Sequence, residues 1–119
     1  MPWTVEVGQA ARDDLRRIYR HLIASNGAFG HDLKDAKALS RARVFAIEAG
    51  FARLAKAPYR GTCHTIAGHT YRHVTIDRAV YWFTLDEPAE VVRIEAIFFG
   101  GQDHLDRMFN RLREEGEAP

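Results

Sequence analysis

Apolar and polar positions change period along the chain, and each change predicts a different element. Residues 3 to 7, WTVEV, alternate and predict a short strand. From Gln9 onward Ala11, Leu15, Ile18, Tyr19, Leu22 and Ile23 fall at helical spacing, with Arg12, Asp13, Arg16, Arg17 and Arg20 on the opposite side. The spacing predicts an amphipathic helix ending near Ser25, with Asn26 and Gly27 as its stop signal. A second helix is expected from about Asp32 to Lys56, because Val44, Ile47, Phe51 and Leu54 recur at three and four residues, and Pro58 ends it. Two helices joined by a short polar loop are expected to pair as an antiparallel hairpin, leaving their apolar stripes to cover another layer.

That layer follows in the sequence. After YRGTCHTIAG, which reads as a loop, the segments YRHVTI (71–76), AVYWFTL (79–85) and VVRIEAIFF (91–99) are rich in β-branched and aromatic residues. Joined by Asp77-Arg78 and by Asp86-Glu87-Pro88-Ala89, they predict an antiparallel meander. AVYWFTL is apolar on both faces and suits the central strand, with Tyr81 and Phe83 on one face and Val80 and Trp82 on the other. In the last segment Val92, Ile94, Ala96 and Phe98 are expected on one face and Arg93 and Glu95 on the other, so that one face packs on helices and the other is partly wet. Gly100 and Gly101 give the chain a turn, Asp103 is a helix cap, and a last helix to about Glu115 carries Leu105, Met108, Phe109 and Leu112 on one stripe. The expected architecture is one α+β domain over residues 1–119: a helical hairpin on one face of a small, mainly antiparallel sheet, in the order β-α-α-β-β-β, with a C-terminal helix.

Composition narrows the class without choosing a function. At 119 residues, 46% hydrophobic and 28% charged, the chain can bury a core without disulfides or metals. A formal net charge of +1 gives no global electrostatic case for nucleic acid, so any basic site must come from local clustering. The single cysteine, Cys63, suits a reducing compartment, and no apolar run approaches the roughly 20 residues a membrane helix requires. A cytoplasmic protein with no membrane contact is the expectation.

Two constellations invite chemistry. Cys63, His64, His69, His73 and His104 suggest zinc, but their spacings match no compact ligand pattern, so no metal or other cofactor is expected and the histidines read as solvent-facing. Arg60, Arg72, His73, Arg78 and Arg93 all fall in the expected sheet or the loop feeding it, where they could form a small basic concavity for a phosphate backbone or an acidic partner. For acid and base work, His104 and His73 are the best candidates by residue type.

The order strand, helix, helix, meander, together with FARLAKAPYRG, YRHVTIDRAVYWFTL and IEAIFFGGQDH, resembles the RelE/ParE superfamily of toxins from type II toxin–antitoxin modules. The likeness runs from WTVEV to GGQDH and is carried by the order and spacing of short motifs. It implies a growth-inhibiting toxin neutralised by a cognate antitoxin in a hetero-oligomer, with Arg12, Arg16, Tyr19 and Trp82 as candidate antitoxin contacts. RelE-like members are ribosome-dependent messenger RNA endoribonucleases, whereas ParE-like members inhibit DNA gyrase by binding. Arg78 matches the arginine before the central strand of the nucleases and Arg72 a basic position on the preceding strand, so a nuclease would use Arg72, Arg78 and His104. A second basic position of that strand falls at Val74, and the late arginine and tyrosine fall near Gln102 or Asp103 and Met108 or Phe109. Attack by a 2′-hydroxyl needs a proton acceptor, a donor and charge stabilisation together, so these departures favour the ParE-like branch, with a RelE-like nuclease and an inactive or decayed protein-binding module as the alternatives.

Overall fold

The computed structural model describes residues 2–100 and 103–117. The first strand, β1 (Thr4–Val7), turns at Gly8 into α1 (Gln9–Ala28). This helix runs three residues past its expected end. Asn26 is not a stop here because its side-chain amide donates to Ser40 Oγ at 3.1 Å, tying the helix to its neighbour. The chain turns instead beyond Ala28, at Phe29 and then Gly30, whose φ of 96° suits glycine.

The second helical stretch is broken. Asp32 caps α2 (Leu33–Ala49) by accepting from the Asp35 N–H at 2.8 Å, and α3 (Phe51–Lys56) follows after Gly50. The break has a tertiary cause. The Tyr81 hydroxyl donates to the Ile47 carbonyl at 2.6 Å, and a Cβ at position 50 would collide with the same phenol. The end of α3 at Lys56, before Pro58, agrees with the expectation.

Four consecutive strands then form a meander, one more than expected: β2 (Thr62–Ile66), β3 (His69–Ile76), β4 (Ala79–Asp86) and β5 (Val91–Phe99). The stretch read as a loop contains β2, an edge strand whose side chains are mostly exposed, so it lacks the apolar alternation that marks a half-buried strand. Ala67-Gly68 and Asp77-Arg78 make two-residue turns with positive φ at both positions, the geometry that matches strand twist. The sheet order is β1-β5-β4-β3-β2, with β1 parallel to β5 and every other pair antiparallel. As expected, β4 is central.

A bulge in β5 overturns the expected facing of that strand. Trp82 pairs with Ala96 but Phe83 pairs with Ile94, which leaves Glu95 as the extra residue. Side-chain parity inverts there. Val92 and Ile94 join Tyr81, Phe83 and the hairpin residues Ala11, Ile18, Ile47 and Leu54 in one core, whereas Ala96 and Phe98 join Val80 and Trp82 in a second core on the opposite face. The second core is closed by α4 (His104–Glu117), through Met108, 1% exposed, and Leu112. Asp103 precedes α4 with φ of 61°, and its backbone carbonyl accepts from the Arg107 N–H at 2.9 Å. Both sheet faces are therefore covered in part, not one alone.

Since β1 pairs only with Val91–Ile94, the later half of β5 has an open outer edge. Asp14 of α1 fills it, its Oδ2 accepting from the Ile97 N–H at 2.9 Å. Arg111 of α4 reaches the same carboxylate with two bonds of 2.8 and 2.9 Å. One buried acid thus joins α1, β5 and α4.

Candidate functional site

On the α4 face, three histidines gather around Trp82. The Trp82 indole N–H donates to His104 Nδ1 at 3.2 Å. His73, from β3, lies 4.7 Å from the Trp82 ring and 4.8 Å from His104, and stacks on His64 of β2 at 4.9 Å with the planes 17° apart. Phe109 of α4 meets His64 edge-on at 5.8 Å. His64 and His73 share a face because Thr62 pairs with His73 and His64 with Tyr71 across the two antiparallel strands. These are not the solvent-facing loop histidines expected from the sequence: His64 and His73 lie on strands, and His104 opens a helix.

The surroundings of His73 and His104 favour their neutral form. Burial, then the neighbouring His104 and His64, lowers the His73 pKa to about 4. His104 is lowered by burial first and then by His64. The indole donor adds a geometric reason, because protonating His104 at Nδ1 would set two N–H groups against each other. Metal binding needs in-plane nitrogen lone pairs converging on one point, and rings stacked face to face aim theirs along parallel planes. Among the described residues no group of three or more histidine, cysteine or acidic side chains is arranged to hold a metal ion.

The basic residues expected to share a concavity are dispersed. Arg72 faces the hairpin side with Val74 and Ile76; its guanidinium donates to the Tyr59 carbonyl at 2.8 Å and lies 5.6 Å from the Tyr59 ring. Arg78, in the turn between β3 and β4, lies 5.1 Å from the Phe99 ring, six positions from Arg72 and roughly 20 Å along the strand direction. Arg93 is neutralised by Glu6 and Glu95, each at 3.2 Å. Arg60 is half-buried between α3 and β2. His73 points to the other face. The three expected catalytic groups are likewise divided, with Arg72 and Arg78 on the hairpin side and His104 at the start of α4 on the opposite face; Gln102 lies outside the described residues.

Of the candidate antitoxin contacts, Trp82 is corrected by its burial: it is 0% exposed, enclosed by the histidines, Phe109 and Met108, and presents no surface. Arg12, Arg16 and Tyr19 do lie along the outer side of α1. Arg12 donates to the Val7 carbonyl at 3.2 Å, and Arg16 is paired with Asp13 at 2.9 Å. Tyr19 and Arg16 line a groove of about 470 Å³ between α1 and α2, together with Leu15, Val44, Phe45 and Arg41. Phe45 is 75% exposed. It stands off the stripe of Val44, Ile47, Phe51 and Leu54, and an aromatic residue off the buried stripe is the signal in the sequence that marks it.

The arrangement defines a RelE-like α+β fold: a helical hairpin on one face of a five-stranded mixed sheet. A chain of the RelBE2 toxin–antitoxin complex from Mycobacterium tuberculosis is similar to it, with a TM-score of 0.53 and 17% sequence identity over 83% of this chain and 92% of that one. No family model and no curated protein matches the sequence. No helix among the described residues is long and apolar enough to cross a membrane.

Proposed function

We propose that this chain is the toxin of a type II toxin–antitoxin module of the RelE/ParE superfamily, acting in the cytoplasm and held inactive in a hetero-oligomer with a cognate antitoxin. Within that class we assign it to the ParE-like branch, which inhibits DNA gyrase by binding. The observation that carries the branch is the division of Arg72 and Arg78 from His104 by the thickness of the sheet. A phosphodiester placed against either arginine is beyond the reach of the His104 imidazole, so proton transfer and charge stabilisation do not meet at one point. The likeness in fold to a toxin–antitoxin protein supports the class. The antitoxin surface in this reading is the groove between α1 and α2, with Phe45 and Tyr19 as apolar contacts and Arg16 at its rim, Arg12 lying one helical turn before Arg16 on α1.

Induced expression, alone and beside the protein encoded next to it, tests the class; transcript mapping and a gyrase supercoiling assay test the branch. Arrest relieved by the neighbour, with intact transcripts and inhibited supercoiling, is the expected result. Free growth at high expression removes the toxin reading.

A ribosome-dependent nuclease is the second reading, favoured by the neutral imidazoles of His73 and His104 at 4.8 Å from each other on one face. It requires codon-biased cleavage that disappears in His73→Ala and His104→Ala while Arg72→Ala retains it. Uniformly intact transcripts during arrest exclude it.

A further inference from the structure

We propose that the tip of the helical hairpin carries a second binding site, which takes an acidic peptide segment bearing a large apolar side chain. A pocket of about 460 Å³ opens between the end of α1, the start of α2 and the turn joining β3 to β4. Its apolar wall is Leu22, Phe29, Leu39 and Phe99, and its cations are Arg43 and Arg78. Phe29 is 85% exposed and Leu39 46%, an uncovered apolar surface directly beside two positive charges.

The two arginines come from distant parts of the chain and meet on one aromatic ring. The Arg43 guanidinium carbon lies 5.7 Å and that of Arg78 5.1 Å from the centroid of Phe99. Stacking on a ring face uses the π surface of a guanidinium and leaves its N–H fork for an acceptor. Among the described residues neither arginine has a carboxylate within 4.0 Å, in contrast to Arg16, Arg17, Arg93 and Arg111. Asp77 lines the adjoining cleft with Arg43 and Arg53 without pairing with either. The sheet positions Arg78: as the second residue of a tight turn with φ of 71°, it is held beside the last residue of β5.

This combination selects the ligand. A free phosphate would engage the two forks and leave Phe29 and Leu39 in water. A nucleic-acid strand would need further cations in line, whereas Arg72 is bound to Tyr59 and the formal net charge is only +1. A peptide carboxylate fits the forks in bidentate fashion while a neighbouring leucine or phenylalanine covers the apolar wall. The site is separate from the groove of Tyr19 and Phe45 and does not rest on the toxin reading.

Fluorescence anisotropy tests it, with a short labelled peptide of alternating leucine and aspartate, its lysine counterpart, and labelled single-stranded DNA and RNA. The aspartate peptide is expected to bind the full chain, and R43A/R78A to weaken it by roughly tenfold or more. R43E/R78E is expected to reverse the preference toward the lysine peptide. Both positions are exposed, and circular dichroism of each variant verifies folding; the single variants R43Q and R78Q provide the same readout should a double variant fail to fold. The proposal is overturned by undiminished peptide binding in R43A/R78A, by oligonucleotide binding through these arginines in place of the peptide, or by no binding of the aspartate peptide.

Discussion

Asp14 and Arg111, 97 positions apart in sequence, form a two-bond ion pair at 2.8 and 2.9 Å around a carboxylate that is 4% exposed. Asp14 also accepts from the Ile97 backbone, so the pair holds α4 and the open half of β5 to the same point on α1. The pairing raises the Arg111 pKa above its ordinary value, chiefly through the Asp14 hydrogen bonds, so the guanidinium stays charged at any working pH.

Removing one partner should cost more than removing both. Arg111→Met leaves a buried carboxylate with only Arg17 at 3.4 Å and one backbone N–H, and is expected to destabilise the fold by about 2–4 kcal/mol in urea unfolding. Asp14→Asn in the same background is expected to recover part of that loss. A double-mutant cycle with coupling below roughly 0.5 kcal/mol would mean the pair contributes nothing of its own.

Stability should fall with acid through His73. Its folded pKa of about 4 lies below the ordinary 6.5, so the unfolded chain binds more protons between those values. The native state is therefore at full strength above about pH 6.5 and loses stability as the pH drops toward 4. His104, also lowered, adds in the same direction, and the facing groups, His64, Trp82 and Phe109, supply no carboxylate to offset the charge. Thermal midpoints measured across this range should decline more steeply for the wild type than for His73→Asn; parallel curves would remove histidine protonation as the cause.

Gly50→Ala should be costly although alanine is the better helix former. The new methyl meets the Tyr81 phenol where it donates to Ile47, so a loss of about 1–3 kcal/mol is expected in place of the usual gain. Gly50→Ala combined with Tyr81→Phe should lose less than the sum of the two single changes. Denaturant midpoints of the three variants decide it.

How much of this was legible beforehand depended on where the apolar contrast lay. The central position of AVYWFTL was readable because both of its faces are apolar, and the hairpin because its stripes have helical spacing. The strand TCHTI was not, since an edge strand with exposed side chains carries no alternation. Nor was the bulge: VVRIEAIFF alternates equally well in one unbroken parity, and only pairing against β4 reveals that Glu95 is surplus. Residue type and segment cannot tell that Arg72 and His73, adjacent in sequence, serve opposite faces, or that Arg43 would meet Arg78 on Phe99.

Phe45→Glu is the most direct test of the proposed antitoxin surface. At 75% exposure the change is expected to alter stability by no more than about 0.5 kcal/mol while abolishing rescue by the antitoxin. Rescue equal to the wild type, in a co-expression growth assay, would move the antitoxin elsewhere.

The surplus residue in β5 makes the outcome of a deletion depend on where in the strand it falls. Without Glu95 the pairs Trp82–Ala96 and Phe83–Ile94 become consecutive, and every remaining side chain keeps its present face. Without Ile97, and with the bulge kept in place, the Phe98 ring would turn toward the hairpin and leave the core beneath α4 short of a side chain.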